Sequence, residues 1–319
     1  MTAIDEHAER FTLLRPLLFT VAYEILGSAT ESDDVLQDSF LRWARVDLAT
    51  VRDTKAYLAQ LVTRQALNAL RAGARRREDY VGPWLPEPLL LTETDALADV
   101  VLAESVSMGM LVLLETLTPD ERAVFVLHEV FGFGYGDIAT AVGKSVPAVR
   151  QLAHRARSHV HARRGRFAPV DAAATAELTD RFLAAASTGD MDGLLALLTP
   201  DATWTTDSGG KASAISAHAT GARRVARIMI ALFRMRERVA ELRVETVTCN
   251  QGPALAIYRG EHLEAVCVIE ASEGMVTSCY AIRNPDKLAA LRVPRSITRQ
   301  DEFAPERPTA RSSRTEISK

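Results

Sequence analysis

The stretch Tyr135-Gly-Asp-Ile-Ala-Thr-Ala-Val-Gly-Lys-Ser-Val-Pro-Ala-Val-Arg-Gln-Leu-Ala-His-Arg-Ala-Arg157 has the pattern of two short helices joined at a glycine. Apolar residues at 138, 139 and 142 give the first helix a buried face, and Gly143 stands where a helix end needs left-handed backbone. Ser145 is suited to cap the second helix, and Pro147 falls in its first turn, where a missing N–H is harmless. The stretch predicts a helix-turn-helix.

The second helix of this motif is amphipathic and basic. Its apolar residues at 149, 152 and 156 face inward, which leaves Arg150, Gln151, His154 and Arg155 toward solvent. Side chains of these types reach base edges and phosphates in a major groove. A short basic helix is also a common form of plain surface helix, so the motif needs support from the rest of the chain.

The composition is that of an ordinary soluble protein with two or three domains: 319 residues, 47% hydrophobic and 25% charged. No apolar run approaches the roughly 20 residues that cross a bilayer. The first ten residues are charged and lack the apolar core of a signal peptide. We expect a cytoplasmic protein without membrane contact.

The three cysteines, Cys249, Cys267 and Cys279, follow no zinc-binding spacing, so we expect reduced thiols, no metal site and no cofactor. The formal net charge of −3 is unusual for a protein that binds DNA alone, because phosphate neutralisation favours basic domains. Either the basic residues are segregated, or another protein supplies most of the DNA affinity.

Two amphipathic helices are predicted at the start of the chain. The first covers 8–26 and ends at Gly27, and the second covers about 30–45. The second begins with several acids and carries Phe40 and Trp43. Acids at a helix start usually complement the helix dipole, but an acidic and aromatic surface is also suited to docking a basic partner.

A long third helix is predicted from an N-cap at Asp53 to about Arg77. One side of it carries a polar line without a single acid: Gln60, Arg64, Asn68, Arg71 and Arg75. Amides interleaved with arginines offer hydrogen-bond readout of bases as well as charge. A basic solvated face is the simpler alternative.

The segment from Tyr80 to Pro88 holds three prolines and a glycine, which excludes a helix and predicts an extended linker. Tyr80 and Trp84 are rare in pure spacers, so we expect this linker to pack on another part of the protein. A helix is predicted over 98–117, and Thr118-Pro-Asp-Glu121 has the pattern of a capped helix start.

Beyond residue 171 the pattern changes to helices followed by strands. Helices are predicted over 172–188, 190–198 and 221–234, and strands over 202–206, 242–248, 254–258, 263–270 and 276–282. This order indicates an α+β cone with an antiparallel sheet. Four of its polar residues, Asp207, His218, Arg223 and Tyr280, are candidates for lining a pocket.

Three motifs in order resemble the sigma-70 family of bacterial RNA polymerase sigma factors, in its minimal extracytoplasmic-function (ECF) form. They are Asp33-Asp-Val-Leu-Gln-Asp-Ser-Phe-Leu-Arg-Trp43, Ala56-Tyr-Leu-Ala-Gln-Leu-Val-Thr-Arg-Gln-Ala-Leu-Asn-Ala-Leu-Arg71, and Leu117-Thr-Pro-Asp-Glu-Arg-Ala-Val-Phe125 with the helix-turn-helix. Together they cover most of residues 8–165. The resemblance explains the net charge, since core polymerase rather than the sigma factor holds the complex on DNA.

The resemblance also implies roles for individual residues. The partners that it implies are core RNA polymerase, through the β′ clamp and β flap, and promoter DNA. The surface that grips the β′ clamp would comprise Asp33, Asp34, Gln37, Phe40 and Trp43. The face of Arg64, Asn68, Arg71 and Arg75 would read and melt the minus-ten element, and Arg150, Gln151, His154 and Arg155 would lie over the minus-thirty-five element.

The linker and two later tracts look like those of ECF sigma factors fused to a SnoaL-like domain. The tracts are Asp207-Ser-Gly-Gly-Lys211, with Ser208 where that subgroup has a third glycine, and Asn284-Pro-Asp-Lys-Leu288. We expect linker and tracts to meet at one regulatory interface that fixes the spacing of the two DNA-reading domains. Its candidate residues are Tyr80, Trp84, Asp207, Gly209, Gly210, Lys211, Asn284, Pro285, Asp286 and Lys287.

The predicted fold class is therefore multidomain: two all-α domains that bind DNA and polymerase, the second with the helix-turn-helix, and a C-terminal α+β SnoaL-like cone. The expected boundaries are 1–78 for sigma domain 2, 79–107 for the Pro-rich linker and a connecting helix, and 108–166 for sigma domain 4. Residues 168–294 would form the cone, and 295–319 a flexible tail.

Three functions are compatible with this organisation. The first is an alternative sigma factor regulated in cis by the cone. The second is a one-component regulator whose cone senses a small molecule, and the third is a cyclase or isomerase with a DNA-binding appendage. A fold shared with enzymes does not confer their chemistry, so we expect no catalysis. The acidic, aromatic helix at 33–43 favours the first function, because the other two give it no role.

Two cysteines leave one structural alternative open. If the hairpin at Glu273-Gly274 has a three-residue turn, Cys267 and Cys279 face each other directly across two strands; with a two-residue turn they point to opposite faces.

Overall fold

The computed structural model describes residues 3–91, 100–164, 172–213, 217–239 and 241–299. Its first helical module consists of α1 (Ala3–Leu26), α2 (Ala29–Trp43) and α3 (Thr54–Glu78). The local signals act as predicted. Gly27 ends α1 with a φ of +68°, Ser28 caps α2 by accepting from the Glu31 amide, and Asp53 accepts from the Ala56 amide at 2.9 Å.

The second helical module consists of α4 (Val100–Ser105), α5 (Met108–Leu114), α6 (Pro119–Phe125), α7 (Tyr135–Val142) and α8 (Val146–Arg164), with a π-helical turn at Val126–Val130 after α6. The single helix predicted over 98–117 is wrong in its described part. The first helix ends at Ser105, and a second begins at Met108. Ser107 caps the second helix, because its side chain accepts from the Met110 amide.

The helix-turn-helix is confirmed as α7 and α8. Gly143 joins them with a φ of +70°, and Ser145 accepts from the Ala148 amide at 3.4 Å. Ahead of it, Thr118 and Glu121 form a complete capping box at the start of α6.

The C-terminal cone places three helices on one face of a six-stranded sheet. The helices are α9 (Ala172–Thr188), α10 (Met191–Leu197) and α11 (Ala222–Arg238); a short α12 (Pro285–Leu288) follows the last strand. The strands are β1 (Leu198–Asp207), β2 (His218–Thr220), β3 (Leu242–Cys249), β4 (Gly252–Arg259), β5 (His262–Ser272) and β6 (Met275–Ile282), in the order β2-β1-β6-β5-β4-β3.

The expectation of a purely antiparallel sheet is wrong, because β1 pairs with β6 in parallel, and β2 was not predicted. Apolar alternation predicts that a strand exists but not which strand it pairs with. The crossover through α11 and the β3–β5 meander brings the chain back beside β1 in the same direction.

The sheet is covered on both faces. Its helix side packs α9, α10 and α11 over Leu255, Ile269 and Cys279, among others. On the opposite face, Val266 and Val268 pack against Leu85 of the linker and Met108 of α5. A third apolar cluster runs continuously through both helical modules. The linker is therefore held between the cone and the helices.

The expected flexible tail is wrong for its first five residues, since Arg295–Arg299 lie within the described chain and pack on α1. Ile297 is 1% exposed and belongs to the apolar cluster of the helical modules. Backbone hydrogen bonds of Arg295 and Thr298 hold the segment on either side of this side chain. Residues 300–319 lie outside the described residues.

Candidate nucleic-acid interface and interdomain contacts

The solvent-facing side of α8 carries the four residues predicted from the helix-turn-helix. Arg150, Gln151, His154 and Arg155 are all exposed, while the opposite face of α8 is buried. Arg155 donates to Glu121 at 2.8 Å, and the Arg150 guanidinium lies 5.7 Å from the centre of the Tyr135 ring. The four side chains form one continuous basic and amide-bearing face.

The polar line of α3 points toward the second helical module. Arg64 donates to the backbone oxygen of Thr140 in α7 at 2.8 Å, and Arg71 pairs with Asp120 of α6 at 2.6 Å. Gln60 lines a narrow gap between α3 and α7. Asn68 is exposed, and the side chain of Arg75 lies outside the described residues. Two of the predicted base readers are therefore engaged by the other module.

Asp120 is the centre of this contact, because it also accepts from Lys144 of the helix-turn-helix at 2.9 Å. Partial burial raises the pKa of Asp120, but the hydrogen bonds and charges of Lys144 and Arg71 outweigh burial and hold the pKa below its usual value. The carboxylate stays ionised and ties both modules together.

The acidic face of α2 is partly as predicted. Asp34 and Gln37 are exposed, whereas both carboxylate oxygens of Asp33 are engaged, one by Arg15 at 3.0 Å and the other by Arg295 at 2.6 Å. The surface that an approaching partner would meet also includes the exposed Asp38, which lies one turn beyond Asp34.

Of the two aromatic residues predicted for this surface, Trp43 lies in the core instead and Phe40 is partly exposed. Trp43 is fully buried and donates to the His7 backbone oxygen at 2.9 Å, and Phe40 packs edge-to-face on Phe11 at 5.3 Å. Both serve the core of the first module. The large apolar side chain that α2 does expose is Leu41, at 55%; its spacing of one and two turns from Gln37 and Asp34 was available in the sequence.

The linker and the two cone tracts meet at one buried site, centred on Asp207. Its carboxylate is fully buried and accepts from the Tyr80 hydroxyl, from the Leu85 amide at 2.9 Å and from Lys287 Nζ at 2.7 Å. Asn284 donates to the Tyr80 hydroxyl at 2.7 Å. Residues from the linker, β1 and the β6–α12 turn thus share one hydrogen-bond network.

Lys287 is the cation of this site and is only 3% exposed. Its Nζ donates to the Leu85 backbone oxygen and lies 3.3 Å from the centre of the Trp84 ring, whose other near cation is Arg77 at 4.9 Å. Burial lowers the pKa of Lys287, and the charge of Asp207 offsets part of that shift.

The glycines of the first tract are required by close packing. A Cβ on Gly209, whose φ is +56°, would lie 2.6 Å from the Asn284 amide nitrogen, and one on Gly210 would lie 3.1 Å from Val81. The rim of the site is exposed: Lys211 pairs with Asp286, and Pro285 is exposed in the first turn of α12.

Asn250 connects three parts of the protein and was not predicted. It is 1% exposed with a φ of +52°, accepts from the Leu89 amide at 2.8 Å, and donates to the Tyr23 hydroxyl at 2.7 Å and the Val106 oxygen at 2.9 Å. The linker, α1 and the α4–α5 junction therefore converge on one β-turn of the cone. An Asn before a glycine-containing turn was the only local signal, and it indicates a turn rather than its partners.

Glu87 holds the same linker to the first module. It is 8% exposed, accepts from the Ser28 hydroxyl at 2.9 Å and the Thr30 amide at 3.0 Å, and its backbone oxygen accepts from Tyr23 at 2.7 Å. A buried carboxylate at the start of α2 is stabilised by the helix dipole.

A second, partly buried acid joins the cone to the second module. Glu270 of β5 accepts from the Gly109 amide at 2.8 Å, at the N-terminus of α5. Burial raises the pKa of Glu270 to about 7, against the effect of the backbone amides.

The two helical modules also share a buried charge cluster around Arg122 of α6. Arg122 is 1% exposed and donates to the Glu24 backbone oxygen at 2.9 Å and to Glu115 at 2.7 Å, and Arg77 pairs with the other Glu115 oxygen. Burial raises the pKa of Glu24 to about 8, with Ser105 and Arg122 opposing it. Apart from Arg122 and Glu115, which are seven residues apart, these partners are distant in sequence.

The four candidate pocket residues do not converge. Asp207 faces the linker, His218 lies exposed on the edge strand β2, and Arg223 is exposed on α11. Tyr280 is buried on the face of the sheet that meets the linker. Their surroundings differ too much for one shared site.

Both alternatives for the cysteines are wrong. The turn has two residues, but a bulge after Glu270 shifts the register, so that Cys267 pairs with Ala281 and Cys279 with Ile269. The thiols lie diagonally on the same face, buried and reduced, and a hydrogen bond donated by the Cys267 thiol to Cys279, together with burial, raises the pKa of Cys267.

Among the residues that the structure describes, no group of His, Cys, Asp or Glu side chains is placed to hold a metal ion. No helix within the same ranges is long and apolar enough to cross a membrane.

Comparison with known proteins finds three family models along the chain. They are sigma-70 region 2 over residues 11–76, sigma-70 region 4 over 108–160, and a SnoaL-like domain over 179–284. The chain is 36% identical over 287 residues to the ECF RNA polymerase sigma factor SigJ of Mycobacterium tuberculosis, covering 87% of this chain and 91% of that protein. It is 29% identical over 280 residues to the probable ECF sigma factor SigI of the same species, covering 87% and 93%.

Among solved structures, the crystal structure of M. tuberculosis SigJ matches with a TM-score of 0.71 at 32% identity. The match covers 89% of this chain and 98% of that structure. The similarity thus extends through both helical modules and the cone.

Proposed function

The chain belongs to the ECF sigma factors of the sigma-70 family, and from that membership we propose that it binds core RNA polymerase, reads a two-part promoter and is held closed by its own SnoaL-like cone. The polymerase surface is the α2 face of Asp33, Asp34 and Gln37. The α3 line reads the minus-ten element, and α8 reads the minus-thirty-five element.

The observation that carries cis regulation is the buried Asp207 site, through which the cone grips the linker between the two DNA-reading modules. A linker held along its length sets the distance between α3 and α8. Two modules that read separate promoter elements must stand apart by the spacing of those elements. Whatever holds the linker therefore controls whether both elements are read at once.

The contacts of α3 support a closed state. Arg64 and Arg71 bind Thr140 and Asp120 of the second module, so a duplex that reached these arginines would have to displace α7 and the Lys144 turn. Opening must break these contacts before the minus-ten face is available.

Magnitudes indicate which contact dominates. The Arg71–Asp120 pair is 49% and 22% exposed, and pairs of that kind contribute about 0.2–1 kcal/mol. Asp207 and Lys287 both belong to the cone, and both also hydrogen-bond the linker: Asp207 accepts from Tyr80 and from the Leu85 amide, and Lys287 donates to the Leu85 oxygen. Hydrogen bonds to charged groups contribute about 1.5–3 kcal/mol each. The cone's contacts with the linker, rather than the direct contact between the modules, are thus the stronger restraint on opening.

Run-off transcription with purified core polymerase, on a promoter selected from genomic fragments, tests this function in the full chain. The wild type should direct transcription from that promoter, and Asp207→Asn should raise the rate at limiting polymerase. Asp286→Asn, which removes the exposed Lys211 pair at the rim of the same site, is the matched control and should leave the rate unchanged.

Two results would contradict the proposal separately. Absence of transcription with every form of the chain would refute the sigma role. Transcription at one rate by the wild type, Asp207→Asn, Trp84→Ala and their combination would refute regulation through the linker.

A further inference from the structure

The segment that follows α12 crosses from the cone to the first helical module. The Arg295 amide donates to the Leu90 oxygen of the linker at 2.9 Å, and the Thr298 amide donates to the Thr20 hydroxyl in α1 at 3.1 Å. Between them, Ile297 is 1% exposed within the core of the helical modules. Residues 293–299 are thus fixed by backbone hydrogen bonds at two points and by one apolar anchor.

The Arg295 side chain reaches the start of α2. Its Nη2 lies 2.6 Å from one carboxylate oxygen of Asp33, and its guanidinium lies 5.6 Å from the centre of the Phe19 ring. The other oxygen of Asp33 is held by Arg15 at 3.0 Å. Arg295 and Asp33 are 21% and 28% exposed, so this pair is shielded from solvent more than an ordinary surface pair.

We infer that residues 293–299 and core polymerase compete for one surface of α1 and α2, centred on Asp33. The inference rests on the proposed function, which assigns the acidic α2 face to the β′ clamp. An acidic face selects a basic partner, and in the closed chain Arg295 already fills that role. Asp33 cannot pair with the clamp while Arg295 holds it, and a clamp seated over Asp34 and Gln37 would meet the segment at its edge.

The segment also links this surface to the Asp207 site. Lys287, which pairs with Asp207, lies eight residues before Arg295 on the same stretch of chain. Leu91 of the linker bridges to Arg295 in parallel. Release of the linker by the cone therefore removes support from residues 293–299, and the DNA-reading and polymerase-binding surfaces open together.

Equilibrium binding of the full chain to core polymerase tests the competition. The measured affinity is proportional to the fraction of chain whose surface is free, so it falls as more of the chain is closed. Arg295→Ala should therefore bind about 1.4- to fivefold more tightly than the wild type, as expected from the loss of one partly shielded ion pair. Arg292→Ala is the matched control, because Arg292 is an exposed arginine three residues earlier, and it should bind like the wild type.

A reversible disulfide between the segment and α1 provides a second test. The variant carries Thr20→Cys and Thr298→Cys, at the positions where the Thr298 amide meets the Thr20 hydroxyl. Diamide should oxidise the two thiols to a disulfide and take up the two electrons and two protons. The oxidised variant should lose polymerase binding, and dithiothreitol should restore it. Wild-type chain carried through the same treatment controls for Cys249, Cys267 and Cys279, which are buried.

The hydrogen-exchange rate of the segment also tests the competition, because polymerase would not change that rate if the segment had only a structural role. Addition of core polymerase should speed exchange at the Thr298 amide, because binding displaces the segment from Thr20. Equal affinities for wild type, Arg295→Ala and the locked form would overturn the inference while leaving the proposed function intact. Absence of polymerase binding by every form would overturn both.

Discussion

Removal of the Asp207 carboxylate is the sharpest test of how the cone holds the linker. Asp207→Ala leaves Lys287 without its counter-ion at 3% exposure, the Leu85 amide without an acceptor and the Tyr80 hydroxyl with Asn284 alone. Asp207 is itself fully buried, so these groups lose their partner away from the protein surface.

The expected loss of stability is about 3 kcal/mol, near the lower end of the range of about 3–5 kcal/mol for breaking a buried pair. Two contacts of Lys287 survive the substitution, the Leu85 oxygen and the Trp84 ring at 3.3 Å, and both reduce the penalty of leaving its charge unpaired. Asp207→Leu combined with Lys287→Met should recover part of the loss, because an apolar pair of similar volume replaces the ions. The Leu85 amide would remain unsatisfied, at about 1 kcal/mol or more.

Urea unfolding of the wild type, Asp207→Leu, Lys287→Met and their combination gives a double-mutant cycle, and exchange of the Leu85 amide reports the same site locally. Asp286→Ala is the control, because its pair with Lys211 is exposed, and it should change stability by no more than about 0.5 kcal/mol. If Asp207→Ala cost no more than Asp286→Ala, the buried network would not be what holds the linker.

Three further outcomes are expected. Asn250→Ala should be less stable than Asn250→Gly by about 1 kcal/mol, because only glycine accepts a φ of +52° without strain; equal urea midpoints would contradict this. Since burial raises the pKa of Glu270 to about 7, its contribution to stability is complete below the unfolded-state pKa and is lost as pH rises through about 7. Thermal unfolding of Glu270→Gln should show a shallower decline from about pH 5 to 8. Trp43→Ala should lose about 3–5 kcal/mol of unfolding free energy, because Trp43 is buried. Leu41→Ala should change that free energy by no more than about 0.5 kcal/mol and should weaken polymerase binding. If Leu41 served core packing instead, its substitution would lower stability.

Local signals predicted the helical part of the fold well, because each acts within a few residues. A glycine at 143 can take left-handed backbone, and Thr118 and Glu121 satisfy each other's amides, whatever the rest of the chain does. The break before Ser107 was missed for the same reason. Ser107 serves equally well inside a helix or as a cap, and the packing of α5 on the cone decides between them.

Contacts between domains could not be predicted from the sequence unless a family resemblance indicated them. Asn250, Glu87 and Arg122 each bind partners more than fifty residues away, and a single polar residue in a sequence carries no mark of a distant partner. The linker and cone tracts were predicted to meet because they resemble those of one subgroup. Burial also decides roles that patterns leave open, as Trp43 illustrates: an aromatic at helical spacing fits a docking face and a core equally well.

The α3 line shows most clearly what a residue pattern can and cannot specify. Arg64 and Arg71 were predicted to meet phosphates and base edges, and in the closed chain they meet a backbone oxygen and the Asp120 carboxylate. Both acceptors are oxygens that take a hydrogen bond from a guanidinium as a phosphate oxygen does, and Asp120 also carries a negative charge, so the pattern predicts the chemistry of the face but not its occupant. Asp120 presents Arg71 with a negative charge, as a phosphate does, and Lys144 of the helix-turn-helix pairs with the same carboxylate. Under the proposed function, the arginines that would read DNA also hold the modules together, so promoter DNA and closure compete for the same side chains. Promoter DNA would then favour opening once the linker is released, because it pairs with the same guanidinium groups that closure ties up.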